Sequence, residues 1–162
     1  MTSRTFVITG GFGVLGQAVA RAALAAGGKV ALIDFAPSNR TPLAGAVEIG
    51  GVDLSDEAQA RAAMDKAAAV LGGLDVLVNV AGGFVWQTLE DGDLAAWSRM
   101  FSLNTLTCAT ACETALPHLL ASPAGRIVSV GAGGAVKAGA GMGAYAASKA
   151  GVHRLTESLA EE

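Results

Sequence analysis

Short apolar runs rich in β-branched residues alternate along this chain with longer stretches in which apolar positions recur every three or four residues. Thr5–Thr9, Lys29–Asp34, Ala46–Val52, Val76–Asn79 and Arg126–Val130 are of the first kind and predict strands. Val14–Ala26, Asp56–Leu71, Leu94–Leu120 and a final segment from Tyr145 onward are of the second kind and predict helices, with room for a break inside Leu94–Leu120. Strands alternating with helices that can serve as crossovers predict an α/β fold, a doubly wound parallel sheet in three α/β/α layers. Such a sheet binds its ligand beyond the carboxyl ends of the strands, where the direction of winding reverses. Chemistry should therefore sit immediately after strands.

With 162 residues, 52% of them hydrophobic, and neither repeat nor linker, the chain is expected to form a single domain spanning residues 1–162. Eleven Lys+Arg against 14 Asp+Glu give a net charge of −3, and no basic cluster offers to neutralise a phosphate backbone, so nucleic acid is not an expected partner. The first strand opens at Thr5, which leaves no room for a secretory leader, and no apolar run reaches the roughly 18 residues that span a bilayer. A cytoplasmic protein without a membrane partner is expected. Cys108 and Cys112 stand four apart on one helical face and read as buried or interface thiols. His118 and His153 show no ligand spacing with them, so no metal is expected.

After the first strand comes Thr9-Gly10-Gly11-Phe12-Gly13-Val14-Leu15-Gly16, which leads directly into a helix. Gly11, Gly13 and Gly16 fit the G-x-G-x-x-G pattern of a Rossmann-type turn, where the missing Cβ atoms permit a tight turn and close approach of a pyrophosphate. The helix N-terminus adds free N–H groups and the positive end of its dipole. Eighteen residues past Gly16, Asp34 closes the second strand, where a carboxylate can accept from both adenosine ribose hydroxyls and repel a 2′-phosphate. NAD, with NADH preferred over NADPH, is the expected cofactor, and no basic residue at Phe35, Ala36 or Pro37 argues otherwise. A strand-end Asp making a turn is the plainer alternative.

Tyr145-Ala146-Ala147-Ser148-Lys149 places a phenol and an ammonium four residues apart, on one face of a helix. A cation held near a phenol favours the phenolate and suits the pair to acid/base work. With the glycine turn, Asp34, Asp53 after the third strand, Asn79-Val80-Ala81-Gly82 after the fourth, and Asn104 in the following helix, the chain resembles the short-chain dehydrogenase/reductase family along essentially its whole length. The resemblance implies that Tyr145 exchanges a proton with the substrate, that Lys149 binds the nicotinamide ribose, and that Asn104 holds a water in a proton relay. It implies further that Gly10, Gly11, Phe12, Gly13, Val14, Leu15 and Gly16 cradle the cofactor, that Asp53 and the Leu54 backbone contact adenine, and that Asn79, Ala81 and Gly82 line the cleft. A small-molecule substrate and a homodimer or homotetramer are implied as well.

The chain departs from the family in three places. Most members carry a Ser thirteen positions before the catalytic Tyr, and here that position is Ala132. Loss of one such donor typically costs about 10²–10³ in rate for carbonyl chemistry. Ser129, the nearest upstream hydroxyl, lies about 10 Å away along the strand. The middle glycine is shifted, with Val14 where the family has Gly. These two features, with Val80-Ala81-Gly82-Gly83 and Gly141-Met142-Gly143-Ala144-Tyr145, resemble the dihydropteridine reductase branch, which reduces quinonoid pterins and also has Ala at the Ser position. Finally, family chains continue with further strands where this sequence reaches Glu162 within its last helix, so those C-terminal strands are expected to be missing. A dinucleotide-binding protein without catalysis is the reading from another class.

Overall fold

The computed structural model describes residues 3–162. Five strands, β1 (Thr5–Thr9), β2 (Lys29–Ile33), β3 (Ala46–Ile49), β4 (Val76–Asn79) and β5 (Arg126–Ser129), form one sheet in the order β3-β2-β1-β4-β5, every pairing parallel. Helices α1 (Val14–Ala25), α2 (Glu57–Leu71), α3 (Ala95–Met100) and α4 (Thr107–Ala121) lie in the crossovers, and α5 (Gly143–Glu161) follows β5. The expected doubly wound α/β architecture is what forms.

Alternate residues of each central strand enter opposite layers. Val7, Ala31, Ile33 and Leu77 pack with Met64 and Ala67 of α2 and with Ala111, Cys112 and Ala115 of α4. Their neighbours Ile8, Leu32 and Val78 pack with Ala20 and Ala23 of α1 on the other face. A strand buried on both faces needs apolar residues at every position, which is why these segments are continuous apolar runs. The alanine-rich helix faces let the backbones lie close to the sheet.

Several boundaries differ from the sequence expectation, each for a local reason. β3 stops at Ile49 rather than Val52 because Gly50 and Gly51 turn the chain: Gly51 has φ +73°, and a Cβ on Gly50 would come within 2.6 Å of the Ala36 carbonyl oxygen. α2 begins at Glu57 because Asp56 is its cap, accepting from the Gln59 N–H at 3.0 Å. The Leu94–Leu120 segment does not break. Its α3 and α4 parts are joined by a continuous π-helical stretch, Phe101–Leu106, whose wider turn absorbs the change of phase. α5 starts at Gly143, two residues ahead of Tyr145. No described helix is long and apolar enough to cross a membrane.

Asp75, just before β4, ties the amino ends of the sheet together. Its carboxylate accepts from the Thr5 N–H at 2.9 Å and from the Ser122 hydroxyl at 2.6 Å, and these bonds hold it below the usual carboxylate range, the Ser122 bond foremost. Asp75→Ala should cost about 2 kcal/mol of stability at pH 7, measured by urea unfolding. A depressed carboxylate stabilises fully above its unfolded value of about 3.9 and loses that contribution as pH falls through its lower folded value. The gap between the two proteins should therefore close below about pH 4.

Candidate functional site

The chain leaves β1 toward one face of the sheet and leaves β4 toward the other, and a cleft of about 960 Å³ opens between them at the carboxyl edge. Volumes of this order hold an organic ligand of cofactor size. Gly10, Phe12, Gly13, Val14, Leu15 and Gly16 form one wall. Gly10 has φ +62°, and a Cβ there would lie 2.8 Å from the Ala81 backbone. A Cβ on Gly11 would lie 2.6 Å from Cβ of Leu32, and one on Gly16 would strike the Gly10 carbonyl oxygen. Gly13 is different, since its added Cβ would meet only the Gly10 oxygen, at 3.4 Å. Packing therefore demands glycine at 10, 11 and 16, while Gly13 serves to keep the cleft wall low.

Gly13 caps the start of α1 with no side chain to offer, and the helix's first bond runs from the Gln17 N–H to the Gly13 carbonyl. The N–H groups of Val14, Leu15 and Gly16 thus have no helical partner, an arrangement suited to phosphate oxygens. At the cleft's far end Asp34 is half-buried. One of its oxygens accepts from the Phe12 N–H and the other from the Ala36 N–H, both at 2.9 Å. It therefore makes the turn that the plainer reading anticipated and also lines the cleft, with lone pairs left to accept further hydroxyls. Asp53 and Leu54 line the same end, Asp53 closing its own loop by accepting from the Ser55 hydroxyl at 2.6 Å. A phosphate-seeking helix end, an acceptor pair and glycines that hold the cleft open fit a dinucleotide.

Ala81 and Gly82 form the opposite wall. Behind them Asn104, 1% exposed, donates to the Gly83 carbonyl at 3.0 Å and accepts from the Gly83 N–H at 2.9 Å. Its amide also donates to the Ser148 hydroxyl at 2.9 Å. The side chain is thus committed to shaping the Gly82–Gly83 turn and tying it to α5. A Cβ on Gly82 would lie 2.5 Å from the Asn104 oxygen and 3.5 Å from the Lys149 ammonium nitrogen, so the sequence-predicted Asn104, Gly82 and Lys149 do come together. Lys149 is 6% exposed and donates to the Val130 carbonyl at 2.8 Å. Burial pulls its pKa below that of a free lysine. Tyr145, one turn earlier on α5, lies half-buried with its ring nearly perpendicular to that of Phe84.

Asn79 is not brought into the cleft. It shares the parity of Leu77 on β4 and so faces the α4 layer, where its amide donates to Cys112 at 3.3 Å and to Ser129 at 3.4 Å. Strand alternation could have placed it there. Ser129 is thereby engaged with Asn79 and Cys108 inside that layer, leaving no hydroxyl to stand in for the one absent at Ala132. Cys108 and Cys112 are buried free thiols.

Sequence reasoning missed two features. Arg40 lines the same end of the cleft as Asp34, six residues further on. Its loop is folded back by a polar network in which Gln17 donates to Asn39 at 2.8 Å and Asn39 donates to Glu48 at 2.8 Å. Only the buried Gln17 in an otherwise small-residue helix face hints at this. The other is the aromatic pair Phe84 and Trp86, which follows the Gly82–Gly83 turn and stays exposed.

A family model described as short chain dehydrogenase matches residues 4–162. Over 169 residues the chain is 35% identical to 2-(S)-hydroxypropyl-CoM dehydrogenase 3 of Xanthobacter autotrophicus, the match covering 100% of this chain and 66% of that protein. It is 35% identical to cis-4-hydroxycyclohexanecarboxylate dehydrogenase of Sinomonas cyclohexanicum, covering 97% of this chain and 66% of that protein. A solved short-chain dehydrogenase from Streptomyces avermitilis superposes with a TM-score of 0.90 at 27% identity, over 99% of this chain and 60% of that one. The chain thus spans roughly two-thirds or less of the length of these relatives.

The glycine geometry yields a stability test. Gly10→Ala should lower the unfolding free energy by more than about 2 kcal/mol, since it adds a left-handed φ penalty to a backbone clash. Gly13→Ala should change it by less than about 0.5 kcal/mol. Thermal denaturation of the two variants beside wild type reads the difference.

Proposed function

This chain belongs to the short-chain dehydrogenase family, and on that premise we propose that it transfers hydride between NAD and a small carbonyl or alcohol, with Tyr145 as the acid/base group. The observation that carries the reading is the meeting of Lys149, Asn104 and the Gly82 turn at the cleft wall, with Tyr145 one helical turn away. The nicotinamide supplies the hydride chemistry when bound. Lys149 has three N–H donors and gives one to Val130, so two remain for the ribose hydroxyls of a bound cofactor. Tyr145 gives its proton to the developing alkoxide in reduction and takes it back in oxidation. Asn104 contributes by holding the Gly83 peptide, and hence the cleft wall, in register with α5.

A second reading, dinucleotide binding without catalysis, is favoured by one observation, Ala132 at the position of the family hydroxyl. An inactive 2-(S)-hydroxypropyl-CoM dehydrogenase 2 is among the relatives, 36% identical over 89% of this chain. A quinonoid ring such as a pterin is the substrate type that depends least on that hydroxyl, because conjugation spreads the developing charge. Tyr145→Phe separates the readings. It should abolish NADH oxidation, followed by absorbance, while leaving the NADH dissociation constant within about twofold; turnover that persists removes Tyr145 from the mechanism, and a wild type that binds NADH and turns over no ketone, quinone or pterin supports binding alone.

Asp34 is proposed to favour NADH by accepting from the ribose hydroxyls. With Arg40 at the same end of the cleft, Asp34→Ala should leave a cation facing the adenosine ribose and shift preference toward NADPH by about tenfold or more. Asp34→Ala combined with Arg40→Ala should weaken both cofactors and remove most of that shift, read by fluorescence titration.

A further inference from the structure

Phe84 and Trp86 are 59% and 61% exposed, yet both are fixed in place. Phe84 packs edge-on against Tyr145, ring centroids 4.8 Å apart and planes at 81°. The Trp86 indole N–H donates to the Ala140 carbonyl at 3.1 Å, and the Gln87 N–H donates to the Gly141 carbonyl at 2.9 Å. Gly141, at φ +75°, has no room for a Cβ, which would sit 2.8 Å from Cζ2 of the indole. Residues 84–87 are therefore strapped to the loop that precedes α5. Gly134 lies beside the Tyr145 ring and against the Met142 methyl. A Cβ on Gly133 would meet nothing within 4 Å, and one on Gly134 would lie 3.9 Å from the Tyr145 ring. From Gly131 to Ala144 the only ionisable side chain is Lys137, which is exposed.

Phe84 lies against the proposed acid/base group, Trp86 is fixed two residues further on against the loop before α5, and both rings are exposed, so they offer an aromatic surface at the Tyr145 end of the site. We propose that Phe84 and Trp86 are the specificity-determining wall of the substrate site, and that the substrate class is a carbonyl compound carrying an uncharged, planar ring. The inference rests on the oxidoreductase reading above. A planar ring stacks on the wall and so brings its carbonyl to Tyr145 by surface contact, in a site where Ala132 offers no hydroxyl to orient it. A puckered ring of the same size meets the indole through its axial C–H bonds and forgoes the added stabilisation of an aromatic pair.

Acetophenone, cyclohexyl methyl ketone and 2-butanone test this. In the presence of NADH, kcat/KM should favour acetophenone over cyclohexyl methyl ketone by roughly fivefold to tenfold, a factor typical of one aromatic contact. Phe84→Leu and Trp86→Leu, which keep apolar bulk at exposed positions, should each cut that ratio severalfold. Binding gives a readout apart from turnover. In Trp97→Phe, where Trp86 is the sole tryptophan, acetophenone should quench the emission saturably with NAD⁺ present, and Phe84→Leu in that background should raise the midpoint about fivefold. Turnover of all three ketones without ring preference, or strictly linear quenching, overturns the wall and leaves the oxidoreductase reading standing. Saturable quenching with no turnover of any ketone supports the wall and counts against the oxidoreductase reading.

Discussion

The structure depends on how two parallel strands, β1 and β4, part company. Their chains leave neighbouring positions of one sheet edge for opposite faces, and they must pass within contact distance of each other to do so. The Thr9 hydroxyl accepts from both the Val80 and Ala81 N–H groups at 3.2 Å, fixing the two exits together. Gly10 then turns away at φ +62° with its Cα against the Ala81 backbone, where no side chain fits. Every other part of the site is hung on this junction. The glycine turn and the uncapped start of α1 lie on one side of it, and the Gly82–Gly83 turn, held from behind by Asn104, lies on the other. The cleft is the gap that the divergence leaves.

Asn104 carries that constraint to the third element. It reaches Gly83 with both ends of its amide and Ser148 with the nitrogen, so a residue of the π-helical stretch links the β4 exit to α5. Ser148 in turn donates to the Tyr145 carbonyl, and the Thr105 hydroxyl donates to the Ser148 carbonyl. The wide turn between α3 and α4 gives Asn104 its inward setting while the helix axis runs on unbroken. Tyr145 and Lys149 are thereby positioned relative to the cleft wall by hydrogen bonds between elements rather than by their own helix alone.

Features that arise from local pattern were legible in the chain: the continuous apolar runs that bury both faces of β1, β2 and β4, the glycines between a strand and a helix, and the four-residue step from Tyr145 to Lys149. Features set by a distant partner were not. The end of β3 is decided by the approach of Gly50 to Ala36, and the setting of Arg40 by a network running through Gln17, Asn39 and Glu48. Asn79 is the instructive case. Its place at a strand end directed attention to the cleft, while the pleat had already assigned it, with Leu77, to the layer of Cys112. Where motif position and strand parity disagree, parity is the stronger physical statement, because a one-residue change of face would reverse the whole strand.

The charges near Tyr145 come from one buried side chain and one helix end. Lys149 is buried with a carbonyl for a partner, and no carboxylate neutralises it among the described residues. Tyr145 also stands in the first turn of α5, where unpaired N–H groups make the positive end of the helix dipole. The low exposure of Lys149 limits screening of its charge by water. A substrate whose developing charge is spread by conjugation needs less from a second donor than an isolated carbonyl does. On the proposed reading, Ala132, the unneutralised Lys149 and the aromatic strap of Phe84 and Trp86 act in the same direction, toward a substrate held by its ring and protonated by one group.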